Sequence, residues 1–71
     1  MNELQIQTTL GERIRTMRMK KNMTQNDLAI ACDFEKASMS RIESGQANPT
    51  VRTLYRISIA LEVSIGELFE C

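Results

Sequence analysis

The feature that most constrains this 71-residue chain is how little room it leaves for any element between Asn22 and Gly45. Met23-Thr24-Gln25-Asn26-Asp27-Leu28 combines a Thr cap, an acid in the first turn and apolar residues at the two staple positions, so a helix starts there. It can run only to about Ala31, because Asp33 is among the few residues that tolerate the positive φ of a tight turn. A second helix fits at about 36–43, before the loop Gly45-Gln46-Ala47-Asn48-Pro49. Two helices of about two turns each are too short to stand alone in water, so the rest of the chain must supply their platform.

Signals for that platform lie on both sides. Thr9-Leu10-Gly11-Glu12 has the form of a capping box, which predicts a first helix at about 10–21 with Leu10, Ile14 and Met17 along one apolar stripe and Asn22 as its left-handed end. Residues 1–9 are read as an arm or a helix extension that uses Leu4 and Ile6, residues 10–69 as the folded domain, and 70–71 as the C-terminal end. Pro49 and the Thr50 cap predict a fourth helix at about 51–61, buried through Val51, Leu54, Ile57 and Leu61. Ser64-Ile65-Gly66-Glu67 is a further capping box and opens a short fifth helix, whose Leu68 and Phe69 close the base of the core. The reading is an all-α domain of five helices. The palette of Leu, Ile, Met, Val and Ala with 4% aromatic residues suits packed helices.

Composition removes several classes of function. With no histidine and no glycine-rich phosphate loop, the usual acid–base and nucleophile arrangements are missing, and catalysis is not expected. Cys32 and Cys71 lack a metal-ligand spacing, so neither a metal nor a cofactor is expected, and Cys32 is read as a small buried apolar residue. No stretch approaches the roughly 18 apolar residues of a membrane span, and the N-terminus has no signal-peptide pattern, so the expected location is cytoplasmic with no membrane partner.

The formal charge of zero argues against a polyanionic partner until its distribution is considered. Arg13, Arg15, Arg18, Lys20 and Lys21 crowd one segment beside the single acid Glu12, whereas Glu62, Glu67 and Glu70 gather near the C-terminus. Such a polarity orients a molecule on a phosphate backbone, although a charge run is more commonly a solvated helix face. The predicted third helix carries Met39 and Ile42 on its inner side, with Phe34 in the turn beside them. Lys36, Ala37, Ser38, Arg41 and Ser44 fall on the other side. Periodicity leaves two readings open for that polar side, a solvated face or a reading surface.

Two short helices with a tight turn describe a helix-turn-helix unit, whose second helix can enter the DNA major groove. The run Thr24-Gln25-Asn26-Asp27-Leu28-Ala29, then Asp33-Phe34, then Met39-Ser40-Arg41-Ile42-Glu43-Ser44-Gly45 resembles the phage-repressor-like, or Cro/CI and XRE, helix-turn-helix family. The likeness extends through Asn48-Pro49-Thr50 and Leu61-Glu62-Val63-Ser64-Ile65-Gly66-Glu67-Leu68-Phe69, covering about residues 10–69. It implies a lambda-repressor-like DNA-binding domain. On this resemblance, Lys36, Ala37, Ser38 and Arg41 read base edges: Arg or Lys donates to guanine, Ser donates or accepts, and the Ala methyl packs on a thymine methyl. Thr24, Gln25, Ser44, Asn48 and Arg18 contact the DNA backbone, which fixes register without specifying sequence. Arg52 is either a further backbone contact or an exposed charge.

The residues matching Arg18 and Glu43 form, in the family, an ion pair that braces helix 1 against helix 3. Two positions depart from the pattern: Asp33 stands where the turn usually has glycine, and Glu35 where helix 3 often has a Ser or Thr cap. The carboxylate of Glu35 repels phosphate unless it accepts a hydrogen bond from cytosine N4. The implied partner is double-stranded DNA, bound by a homodimer held through helix 5 and the C-terminal tail, because one short helix contacts only a few base pairs. The resemblance therefore implies a transcriptional regulator, a repressor or operon controller. The other function class is a protein-binding module that keeps the fold without binding DNA.

Overall fold

The computed structural model describes residues 2–69. Its first helix, α1 (Glu3–Lys20), starts seven residues earlier than the Thr9 signal predicts. The operative capping box is Asn2 with Gln5: the Asn2 side chain accepts from the Gln5 N–H at 2.9 Å, and the Gln5 side chain accepts from the Asn2 N–H at 2.9 Å. The cap-x-x-Glu/Gln pattern occurs twice in this segment, and nothing in Leu4 to Thr9 breaks a helix, so the earlier match prevails. Residues 3–9 are thus a continuous extension of α1, which buries Leu10, Gly11, Ile14 and Met17.

Next come α2 (Gln25–Ala31), α3 (Lys36–Glu43) and α4 (Val51–Leu61), followed by a 3-10 turn at Ile65–Phe69, η1, where an α-helix was expected. Thr24 and Asp27 form a reciprocal box at the start of α2: the Thr24 N–H donates to Asp27 at 2.8 Å, and the Asp27 N–H donates to Thr24 Oγ1 at 3.0 Å. Thr50 Oγ1 caps α4 by accepting the Thr53 N–H at 3.1 Å. At η1 the Ser64–Glu67 bonds form as expected, at 3.2–3.3 Å.

All four α-helices end alike. Asn22, Asp33, Gly45 and Glu62 each take a positive φ, of 58°, 59°, 78° and 59°. In each case the next N–H reaches back to a carbonyl five residues earlier: Met23 to Arg18, Phe34 to Ala29, Gln46 to Arg41 and Val63 to Ser58, at 2.8–3.2 Å. These are Schellman closures, and they turn the chain sharply enough for short helices to pack on one another. Glycine fills only one of the four positions. Asn and Asp hold two at modest cost, while Glu62 enters the left-handed region without their local hydrogen-bonding advantage.

One core joins the helices: Leu10, Ile14 and Met17 of α1, Leu28 and Ala29 of α2 with Cys32 at its end, Met39 and Ile42 of α3, Leu54, Ile57 and Leu61 of α4, and Leu68 of η1. Two expectations need correction. Val51 is 74% exposed, and Ser58 takes its place in the buried stripe of α4, its hydroxyl donating to the Tyr55 carbonyl at 2.7 Å. At about 100° per residue the buried arc runs through Leu54, Ile57, Ser58 and Leu61, and Val51 lies roughly 70° from its centre. Phe69 is half exposed, so Leu68 alone closes the base. Arg13 Nε donates to the Glu67 carbonyl at 3.1 Å and ties α1 to this C-terminal turn.

Candidate nucleic-acid interface

The second helix of the α2–α3 pair has two faces of opposite character. Its inner face, Met39, Ile42 and Glu43, is buried. Its outer face, Lys36, Ala37, Ser40, Arg41 and Ser44, is exposed. Sequence reading placed Ser38 on the outer side, and there the structure differs in degree: Ser38 is half-buried at the edge above Ile42. Ser40 is exposed on the flank of this face, a position that the sequence reading missed. The signal was available, since a helix that buries 39, 42 and 43 turns residue 40 outward at about 100° per residue. Among the described residues, neither Lys36 nor Arg41 has an ion-pair partner.

The inner side fixes where this face points. Arg18 Nε and Nη2 donate to Glu43 Oε2 and Oε1 at 2.8 and 3.0 Å, a two-pronged pair, while Nη1 donates to the Met23 carbonyl at 2.8 Å. The pair is largely withdrawn from water, with side-chain exposures of 12% and 3%. It thereby links α1, the loop before α2, and the end of α3. Gln25 Nε2 adds a longer bond to Glu43 Oε1 at 3.4 Å. Behind the pair, α1 meets α3 at Gly11. A Cβ built there would stand 2.5 Å from the Ile42 carbonyl oxygen and 2.6 Å from that of Glu43, so only glycine permits the approach. Sequence reading assigned Gly11 to a cap; an isolated glycine within a helical pattern was the overlooked sign of close packing.

α2 and α3 start differently. The α2 box pairs Thr24 with Asp27, and the hydrogen bond from the Thr24 backbone, with a smaller one from its side chain, holds the Asp27 carboxyl below its ordinary 3.8. Glu35 precedes α3 with no side-chain cap bond, leaving an exposed carboxylate at the leading end of the outer face.

A cleft opens where α1, α2 and α3 converge, and Arg15, Arg18, Thr24, Gln25, Asn26, Lys36, Ser40 and Ser44 line it together with Glu43. Three cations face one carboxylate that Arg18 already engages, so the cleft favours an anion. The structure therefore brings Thr24, Gln25, Arg18, Lys36 and Ser44 together, and it adds Arg15, Asn26 and Ser40, which sequence reading did not select. Ala37 and Arg41 sit on the adjoining outer face. Asn48 is exposed in the loop after α3, outside the cleft lining. Ser44 Oγ donates to the Arg41 carbonyl at 3.2 Å, with its lone pairs left over. Cys32, as expected, is buried; desolvation pushes its thiol above the ordinary 9.0, partly offset by Arg56.

Comparison with known proteins gives a concordant picture. A helix-turn-helix family model matches residues 14–68. The control protein C.BamHI of Bacillus amyloliquefaciens is 35% identical over 66 residues, which cover 92% of this chain and 82% of that protein. The transcriptional regulator SlrR of Bacillus subtilis is 39% identical over 62 residues, and the match spans 86% of this chain but only 41% of the longer regulator. Among solved structures, the restriction-modification controller protein C.AhdI from Aeromonas hydrophila superposes with a TM-score of 0.86 at 27% identity, covering 87% of this chain and 94% of that one. No helix among the described residues is long and apolar enough to cross a membrane. In its motif, its all-helical architecture and its relatives, the chain belongs to the phage-repressor-like (Cro/CI, XRE) helix-turn-helix family of DNA-binding transcriptional regulators.

Proposed function

We propose that this protein is a cytoplasmic operon regulator that binds a palindromic operator as a symmetric dimer, with α3 of each copy in successive major grooves. One observation carries the reading: the outer face of α3 holds two cations without an ion-pair partner among the described residues, small hydroxyls and a methyl, while its inner face is locked to α1. A rigid helix of eight residues is about 12 Å long, comparable to the width of the major groove, and so reaches three or four base pairs. Lys36, Ala37, Ser38 and Arg41 read base edges, with Ser40 beside them. Thr24, Gln25, Ser44, Asn48 and Arg18 hold the sugar-phosphate backbone, Arg18 through the N–H groups that Glu43 and Met23 leave free. Its main work is the brace. Relatives matched over most of their length carry the names of a control protein and a restriction-modification controller, which supports operon control as the regulatory role.

A single domain of this size covers too few base pairs to find an operator among many competing sites, hence two copies on one half-site each. The domain measures 30 × 23 × 21 Å, so two copies side by side are large enough to span one turn of DNA, about 34–36 Å. The sequence-derived contact through helix 5 and the tail lies partly outside the described residues, since 70 and 71 belong to that tail.

Selection of bound duplexes from a random library, followed by anisotropy titrations in a salt series, tests the reading. A two-fold symmetric consensus is expected, with log K falling against log salt by about 0.9 per phosphate neutralised. Absence of binding at low salt, with no salt slope, would overturn it in favour of a protein-binding module.

A further inference from the structure

Of the four acids between Thr24 and Ser44, three have a place in the fold. Asp27 closes the α2 capping box, Glu43 is held by Arg18, and Asp33 takes the positive-φ turn position, where it lines a crevice with Arg56 of α4. Glu35 is the fourth. It is exposed, its side chain caps nothing, and it makes no ion pair among the described residues. Its backbone, by contrast, is fixed. With φ −74° and ψ 148° it is the N-cap of α3, and its carbonyl accepts the N–H groups of Ser38 and Met39 at 3.1 and 3.2 Å. A free carboxylate thus starts from a rigid point directly before Lys36.

We propose that Glu35 is a specificity-determining residue, which selects a cytosine in each operator half-site by accepting a hydrogen bond from the N4 amino group of that base. The proposal rests on the DNA-reading role of α3 given above and deepens it, since it names one base that the operator must contain.

Place, chemistry and charge support it. In helix-turn-helix complexes the N-terminal residues of the second helix are the ones that meet base edges, and Glu35 leads α3 ahead of the exposed Lys36 and Ala37. An ionised carboxylate is an acceptor only. In the major groove guanine shows the acceptors N7 and O6, thymine shows O4, and adenine sets its N6 donor beside the N7 acceptor. Cytosine is the one base that offers a donor there with no acceptor of its own. Against any other base the carboxylate loses water without gaining a partner, so a penalty adds to the missing bond. Charge acts in the same direction. A carboxylate brought up to a polyanion weakens binding to every sequence, and the matched base offsets that loss, so Glu35 sharpens discrimination at the expense of general affinity.

Selection from a random duplex library by wild type, Glu35→Ala and Glu35→Gln tests the proposal, followed by anisotropy titrations of the selected duplex and its three single-base variants at the cytosine. Wild type is expected to prefer cytosine at one position of each half-site by about 10-fold, the lower end for a good base contact. In Glu35→Ala that preference should fall to near parity while the other positions keep theirs, and binding to random duplex should tighten because a negative charge has gone. Glu35→Gln should move the preference at the same position to adenine, whose N6 and N7 an amide pairs with bidentately. A change of preferred base is a readout that a role in the helix dipole alone would not produce, and a thermal melt close to that of wild type establishes that each variant folds. If Glu35→Ala selects the same bases as wild type with the same strength at every position, the proposal is overturned and Glu35 is a charge on the helix end. A wild type that binds no duplex at low salt would overturn it together with the regulator reading, so the two failures are told apart by whether wild type binds at all.

Discussion

The two faces of α3 make opposite use of their side chains. On the inner face every polar group is committed: Glu43 is held by both prongs of Arg18, and the backbone of Ile42 and Glu43 lies against Gly11. On the outer face, Lys36 and Arg41 make no ion pair among the described residues, and Glu35 caps nothing. Ion-pair partners on one side, and none on the other among the described residues, is what a reading helix requires. A side chain already satisfied within its own fold gains little from a base edge, and one on a loosely held helix loses its gain to ordering. Stability and recognition are therefore divided between residues one or two positions apart.

Substitutions that break this division should differ sharply in their effect on stability. The largest loss is expected for Glu43→Ala, which strands the Arg18 guanidinium in a mostly buried place. Denaturant titration should show a loss of about 3 kcal/mol, the lower end for a broken buried pair because Arg18 retains some solvent. Replacing both partners with apolar residues should recover part of this. Gly11→Ala comes next. The added methyl meets backbone carbonyls that cannot rotate away, and we expect a loss of about 2 kcal/mol despite the better helix propensity of alanine. Restored stability in that variant would mean that α1 and α3 can separate without cost.

Thr24→Ala removes one half of the α2 capping box and should cost about 1 kcal/mol. The other half is tested by pH. Because the Asp27 carboxyl lies below its ordinary 3.8 in the folded protein, its contribution is complete above that pH and is lost as pH falls through the lower folded value. Asp27→Asn should therefore flatten the acid limb of the stability curve and leave its slope above pH 5 unchanged. Smallest in stability is Arg41→Ala on the outer face, expected within about 0.5 kcal/mol of wild type in a thermal melt. The same variant should lose about 10- to 100-fold in operator affinity, the worth of a good base contact. A matching loss in stability would remove the distinction between the faces.

Much of this arrangement was legible in the sequence because its signals are local. The caps at Thr24, Thr50 and Ser64 and the left-handed residues Asn22 and Asp33 act within a few residues of themselves, and they locate α2, α3, α4 and the last turn. The Arg18–Glu43 pair was legible only through family resemblance, since no local rule joins residues 25 apart in sequence. The misses share a physical origin. Whether Asn2 or Thr9 starts α1, whether Val51 or Ser58 faces inward, and why residue 11 is glycine all depend on what other elements leave exposed or bring close. The cleft contributions of Arg15 and Ser40 likewise emerge only once three helices converge.

Amide chemical-shift mapping of the labelled protein titrated with its selected duplex addresses the central claim most directly. The account predicts that the largest changes fall on residues 36–41 of α3 and at Thr24, Gln25, Ser44 and Asn48, with α4 little affected beyond Arg52. Shifts concentrated on Val51, Tyr55 and Ile59, with α3 silent, would contradict it.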